Sequence, residues 1–129
     1  GTDCIGKTVV AGFDFNEASS AIIKALLEDP SIDGIFASSD AVAIAAIKMI
    51  QSLNKQVPRD IQVVGFDGIE LGKMISPELT TVSQDIYQIG QYATKMLIEQ
   101  IEGNPLKNQQ IIVETNLIVR GTTRKGTKK

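Results

Sequence analysis

Three aspartates follow short apolar runs in this sequence, at Asp14, Asp40 and Asp67. An ionised carboxylate can accept hydrogen bonds from two adjacent hydroxyl groups, which is what the vicinal diol of a sugar presents. Phe15 follows Asp14 directly, and a flat aromatic ring can cover the apolar face of a sugar. Because the carboxyl ends of parallel strands face the crevice in which open α/β sheets bind ligands, the pattern predicts one small polar ligand at one sheet edge.

Each of these residues also has a purely structural interpretation. Asp40 follows Ser39 at the start of a predicted helix, where either side chain is typical of a helix cap. For Asp40 the sequence favours the cap over the ligand site. Phe15 fits a core position as well as a sugar-covering one, and for Asp67, which Gly68 follows, the pattern favours neither interpretation.

Catalytic and metal-binding chemistry has little support in the sequence. There is no histidine, so the commonest general base and the usual transition-metal ligand are both missing. Ser38 and Ser39 have no partner base, and the sequence contains no glycine-rich phosphate-binding loop. The three aspartates around Mg²⁺ are a minor alternative. We therefore expect no enzymatic activity, no metal and no cofactor.

The order of apolar segments predicts the elements that position these residues. The predicted strands cover residues 7–12, 34–37, 61–66, 80–83, 111–113 and 117–119. One predicted helix begins after an N-cap at Asn16, and two more cover residues 41–53 and 86–102. A short irregular helical piece follows Gly68. Alternation of strand and helix at this spacing predicts an α/β fold, with right-handed crossovers and a parallel sheet flanked by helices.

The predicted helix at residues 41–53 is apolar on every side. From Ala41 to Ile47 it carries no polar side chain, and Lys48 is the first charge. A helix of this kind must be buried on more than one side. One side can pack on its own sheet, so the other requires a second layer or a second chain.

Composition limits the class of protein. With 129 residues and 43% hydrophobic content, the chain fits one modest domain or part of a larger one. A formal net charge of −2 argues against this chain gripping a nucleic-acid backbone by itself. The single cysteine, Cys4, excludes an internal disulfide and suits a reducing cytoplasm. No apolar run reaches the roughly 20 residues that span a bilayer, so we expect no membrane association.

Four ordered motifs resemble the LacI/GalR family of bacterial sugar-responsive repressors, with a loose likeness to its ribose-operon type. They are GIFASSD at 34–40, VPRDIQVVGFD at 57–67, PELTTVSQ at 77–84 and RGTT at 120–123. The resemblance implies a periplasmic-binding-protein-like core of two α/β lobes with the effector between them. It implies that residues 1–129 form the C-terminal part of that effector-binding domain, mostly its C-terminal lobe. The DNA-binding headpiece and most of the N-terminal lobe are expected to be absent.

The resemblance also assigns roles to single residues. Asp67 matches the family carboxylate that accepts effector hydroxyls, and Phe15 matches an aromatic that packs on the effector. Gln84 matches a polar pocket residue on the last crossover. Ser39 stands where many relatives carry asparagine, so a shorter hydroxyl replaces that contact.

The apolar helix at 41–53 matches the family's dimer-forming helix. Ile44 and Ile47, with Ile75 from the irregular segment, are the expected interface anchors. The resemblance implies a cytoplasmic, homodimeric, non-enzymatic effector sensor that controls sugar utilisation and reaches operator DNA through the absent headpiece. The alternative is a sugar-binding protein of a transport system. The motif at 77–84 and the apolar helix favour the repressor, because transport binding proteins usually act as monomers.

Overall fold

A computed structural model of the chain describes residues 6–10, 14–105 and 110–124. Within these residues the elements follow in the order α1 (Phe15–Glu28), β1 (Gly34–Phe36), α2 (Asp40–Ser52), β2 (Gln62–Asp67), a short 3-10 helix (Glu70–Lys73), β3 (Thr80–Gln84), α3 (Ile86–Ile101) and β4 (Thr115–Ile118). The strands form one sheet in the order β1-β2-β3-β4. β1, β2 and β3 are parallel, and β4 runs antiparallel to β3. The predicted α/β fold is therefore confirmed, with an antiparallel edge strand added.

Two of the predicted strands are wrong in the described residues. Residues 7–10 form no strand, and the rest of that prediction, with Phe13, lies outside the described part. Residues 111–113 are not a strand either, because β3 ends at Gln84, whose pairing partner is Thr115. Residues before Thr115 have no β3 backbone beside them, so one strand replaces the two that were predicted at this end.

The helix α1 begins two residues earlier than an N-cap at Asn16 predicts. Asp14 is the N-cap, and its Oδ1 accepts hydrogen bonds from the backbone N–H of Asn16 at 2.8 Å and of Glu17 at 3.3 Å. The helix ends at Glu28 with Asp29 as its C-cap, before Pro30, as its sequence predicts. Its buried face packs against α2.

The core lies between α1, α2 and the sheet, and α2 contacts both α1 and β2. The second layer that the apolar α2 requires is thus supplied largely by α1. Most of the buried apolar side chains belong to one cluster: Ala18, Ile22, Leu26, Ala37, Ala43, Ala46, Ile47, Ile50, Ile61, Val63 and Leu79. β1 lies at the sheet edge and is not the buried strand that its sequence indicates, since Phe36 is 66% exposed.

Thr122 joins β2 and β3 near their amino ends. Its hydroxyl accepts a hydrogen bond from the backbone N–H of Thr80 at 2.8 Å and donates one to the carbonyl of Val63 at 2.7 Å. The backbone N–H of Val63 donates in turn to the Thr122 carbonyl. Thr122 is fully buried, so a single side chain satisfies a polar group of each strand.

The helix α3 confirms the predicted amphipathic segment, but none of its residues is buried. Its apolar stripe includes Ile86, Leu97 and Ile101, all more than half exposed. Asp85 caps its N-terminus by accepting from the backbone N–H of Gln88.

Candidate ligand-binding site

The carboxyl ends of β2 and β3 bring two of the predicted ligand residues into contact. Asp67 is the last residue of β2 and Gln84 is the last residue of β3. In the sheet register Asp67 lies opposite Ser83, one residue before Gln84. The Gln84 Nε2 donates a hydrogen bond to Asp67 Oδ1 at 2.9 Å. Both side chains are half-buried, so they are fixed by each other and still open on one side.

The backbone at Asp67 is in a region that side chains disfavour. Its φ is +120°, and Gly68 follows with φ of +80°. Positive φ is uncommon for a residue with a Cβ, and it is maintained only when the surrounding structure imposes it. The turn after β2 therefore requires contacts that hold it in place.

Asp40 supplies those contacts. Its Oδ2 accepts hydrogen bonds from the backbone N–H of Gly68 at 2.9 Å and of Ile69 at 2.8 Å. Its Oδ1 accepts from the hydroxyl of Thr81 at 2.6 Å. The interpretation of Asp40 as only a helix cap is therefore wrong. The N-cap of α2 is Ser39, whose Oγ accepts from Val42 N at 3.3 Å.

Gly65 makes room for the Asp40 side chain. A Cβ at Gly65 would overlap Oδ1 of Asp40 and would lie 3.2 Å from the Cβ of Ala43. Gly65 sits in the middle of β2, opposite Thr81. A glycine inside a strand often marks the close approach of another group, and here that group is a buried carboxylate.

The contacts of Asp40 with the turn and with Thr81 are not predicted from the sequence. One signal was available, since Gly65 interrupts an otherwise apolar strand. A carboxylate 25 residues away could not be connected to it without knowing that α2 begins against β2.

Ser39 and Phe15 lie on the neighbouring elements. Ser39 is half-buried at the start of α2, and its hydroxyl is engaged in the helix cap. Phe15 is the first residue of α1 and is 44% exposed, which does not fit a core position. The Lys48 ammonium group of α2 lies 5.3 Å from the centre of its ring, a cation–π contact.

The aspartates do not form a magnesium site. Asp14 caps α1, and both oxygens of Asp40 are engaged by backbone and hydroxyl donors. Across the described residues no group of three or more His, Cys, Asp or Glu side chains is placed to hold a metal ion.

The predicted interface residues differ in exposure. Ile44 and Ile75 are half-buried and pack on the margin of the core cluster, whereas Ile47 belongs to the cluster itself and is 4% exposed. Ile44 and Ile75 therefore leave surface for a second chain, and Ile47 leaves almost none.

Residues 6–123 match the family described as periplasmic binding protein-like domain. The chain belongs to that family. Among curated relatives, it is 50% identical over 119 residues to the ribose operon repressor of Halalkalibacterium halodurans, covering 92% of this chain and 36% of that protein. It is 34% identical over 117 residues to the transcriptional repressor CytR of Escherichia coli K12, covering 89% of this chain and 34% of that protein.

A solved structure of a LacI family transcriptional regulator from Arthrobacter sp. FB24, in complex with lactose, superposes on this periplasmic binding protein-like domain with a TM-score of 0.80. The two are 31% identical, and the match covers 90% of this chain and 44% of that one. The resemblance to the LacI/GalR family is thereby confirmed. The chain spans about a third of the length of these two curated relatives. In the part of the chain that the structure describes, no helix is long and apolar enough to cross a membrane.

Proposed function

We propose that this chain is part of the effector-sensing domain of a transcriptional repressor that controls sugar utilisation. The observation that carries the proposal is the contact between Asp67 and Gln84 at the ends of two adjacent parallel strands. This is the sheet edge at which α/β folds bind small ligands.

The chemistry of the pair suits a sugar. With Oδ1 of Asp67 engaged by the Gln84 amide, Oδ2 accepts no hydrogen bond from the described residues. Oδ2 and the Gln84 carbonyl oxygen are then two neighbouring acceptors that can receive hydroxyl protons. Two adjacent hydroxyls of one sugar ring supply those donors. Ser39 at the next strand end and the exposed ring of Phe15 complete the proposed contacts, polar and apolar respectively.

The relatives favour a repressor over a transport protein. Both curated relatives are named as repressors, and the superposed Arthrobacter regulator holds lactose. The chain is accordingly a binding module and not an enzyme. We propose that residues 1–129 form the C-terminal part of the domain, with the DNA-binding headpiece and most of the N-terminal lobe carried by other segments. The whole protein is proposed to be a cytoplasmic homodimer that binds operator DNA.

In the proposed repressor, sugar binding regulates DNA binding through thermodynamic linkage between the two sites. A sugar that binds one arrangement of the lobes more tightly than another shifts the population toward that arrangement. The same free-energy difference changes the affinity of the headpieces for DNA, because coupling between two binding sites is reciprocal.

The test is calorimetry on the full-length protein with D-ribose and a panel of pentoses and hexoses. Asp67→Ala should weaken binding of the cognate sugar by roughly ten- to a hundred-fold, the loss expected when a charged hydrogen-bond partner is removed. Asp33→Ala is the matched control, since Asp33 is exposed and precedes β1 at the opposite sheet edge. If no sugar binds, or Asp67→Ala binds as tightly as wild type, the proposal fails.

A further inference from the structure

Asp40 is a buried carboxylate that is not among the proposed sugar contacts. Its relative exposure is 0%, and it forms no ion pair within the described residues. Burying a carboxylate is costly unless hydrogen bonds replace its water. Three donors do so here, two from the turn after β2 and one from β3. The side chain therefore joins α2, the turn after β2 and the amino-terminal half of β3.

The two backbone donors come directly after the strained residue. Asp67 has φ of +120°, and the next two N–H groups, of Gly68 and Ile69, both point to Oδ2 of Asp40. Without that acceptor the turn would lose its only side-chain hydrogen bonds among the described residues. Asp67 could then relax toward a negative φ, which would turn its carboxylate away from Gln84.

β3 holds both Asp40 and the turn after β2 in place. The hydroxyl of Thr81 holds Oδ1 of Asp40 at 2.6 Å. On the other side the turn lies directly against β3, because a Cβ at Gly68 would overlap the backbone and side chain of Ser83. Ser83 immediately precedes Gln84, so the turn and the Gln84 side chain share one strand end.

We propose that Asp40 is a positioning residue of the ligand site: by holding Gly68 and Ile69 it directs the Asp67 carboxylate toward Gln84 and the sugar. Asp40 does not touch the ligand in this scheme. The inference rests on the proposed sugar-binding function, because it assigns Asp40 a role in the affinity of that site.

The first test compares three variants of the full-length protein with wild type, by calorimetry with the sugar identified among D-ribose and the panel. Asp40→Ala should weaken binding about tenfold or more. Asp40→Asn should stay within about threefold of wild type, since its amide oxygen can still accept from the two N–H groups while its nitrogen faces the Thr81 hydroxyl. Thr122→Val removes buried hydrogen bonds at the other end of β2 and β3. It should lower stability and leave the affinity unchanged.

That comparison separates positioning from plain stabilisation. If Asp40 only stabilised the fold, Asp40→Ala and Thr122→Val would behave alike and both would keep wild-type affinity while folded. Such a result overturns the inference, and it leaves the proposed function intact if Asp67→Ala has lost affinity. If Asp40→Ala does not fold, Thr81→Val decides. It should weaken binding about threefold or more and Thr81→Ser should restore it, whereas equal affinities refute positioning.

The second test does not depend on a sugar. Amide hydrogen exchange, followed by mass spectrometry on the peptide that contains Gly68 and Ile69, should be about tenfold faster in Asp40→Ala or Thr81→Val than in wild type. Thr122→Val should leave that peptide near its wild-type rate. If wild type binds no sugar, the proposed function fails, and positioning of the turn still stands or falls on this measurement. Unchanged exchange in Asp40→Ala or Thr81→Val overturns it.

Discussion

Gln84 donates a hydrogen bond to Asp67 across two adjacent parallel strands, at a distance of 2.9 Å. Each of the two side chains fixes the other, so their contributions to ligand binding should depend on one another. We expect Asp67→Ala and Gln84→Ala to show a coupling energy of about 0.5–3 kcal/mol in a double-mutant cycle. The measurement is calorimetry of the full-length protein with its cognate sugar.

Gln62 provides the control for that cycle. It lies on β2 as Asp67 does, but at the opposite end, where its side chain accepts from Arg124 N. Asp67→Ala and Gln62→Ala should therefore be additive within about 0.5 kcal/mol. Additivity of the Asp67 and Gln84 changes would contradict the prediction.

A methyl group at position 65 should destabilise the fold. Gly65→Ala would place a Cβ against the Asp40 carboxylate and the Leu79 side chain, and neither neighbour has free space to move into. We expect a loss of about 1–3 kcal/mol in the free energy of unfolding, typical of overpacking in a core. Urea denaturation measures it. Gly34→Ala is the matched control, because a Cβ there meets nothing within 4 Å. Equal effects of the two changes would refute the explanation.

The proposed dimer contact on α2 has a direct test. Ile44 is half-buried at the margin of the core, and each large aliphatic side chain removed from water contributes about 1.5–3 kcal/mol. In a two-fold dimer one substitution acts twice. Ile44→Asp should therefore convert the full-length dimer to a monomer in sedimentation experiments.

The dimer test needs a control variant and a suitable choice of residue. Leu27→Asp changes an exposed aliphatic residue on α1 and should leave the dimer intact. Ile47 is unsuitable because it lies in the core, where a charge would unfold the chain. A wild-type protein that sediments as a monomer would defeat the prediction.

Acid should reduce the stability that Asp60 contributes in the loop between α2 and β2. Hydrogen bonds from the Arg59 guanidinium and the Gln56 backbone N–H lower the pKa of Asp60 below its ordinary value of 3.8. The folded pKa is the lower one, so this stabilisation is complete above pH 3.8 and is lost as the pH falls through the folded pKa. Wild type should therefore be more stable than Asp60→Asn at pH 7, with the difference shrinking below pH 3.8. Urea denaturation across this range checks it, and a constant difference would contradict it.

The sequence predicts those parts of this molecule that depend on local pattern. The apolar stripes of α1 and α3 have a period that the chain displays directly, and so does the apolar run of β2. The sequence predicts the N-cap of α1 at Asn16 and not at Asp14, because both residue types are equally good caps. Only the backbone conformation, which the sequence does not show, distinguishes them.

The candidate site was only partly predictable. Asp67 and Gln84 end their strands, so strand position and family motif identify them. Their mutual contact depends on the register of β2 and β3, which the sequence does not show. The role of Asp40 depends on partners 28, 29 and 41 residues away. No local pattern contains such separations.

Thr122 bonds β2 to β3 near their amino ends, and Asp40 bonds the turn after β2 to Thr81, the second residue of β3. β2 and β3 consequently cannot shift in register without breaking buried hydrogen bonds. Asp40 is also the first residue of α2, so the turn that follows Asp67 is bonded directly to that helix. Ile44 lies one helical turn further on. We therefore expect a ligand that displaces Asp67 at the proposed sugar site to affect the face proposed for the partner chain through one turn of helix.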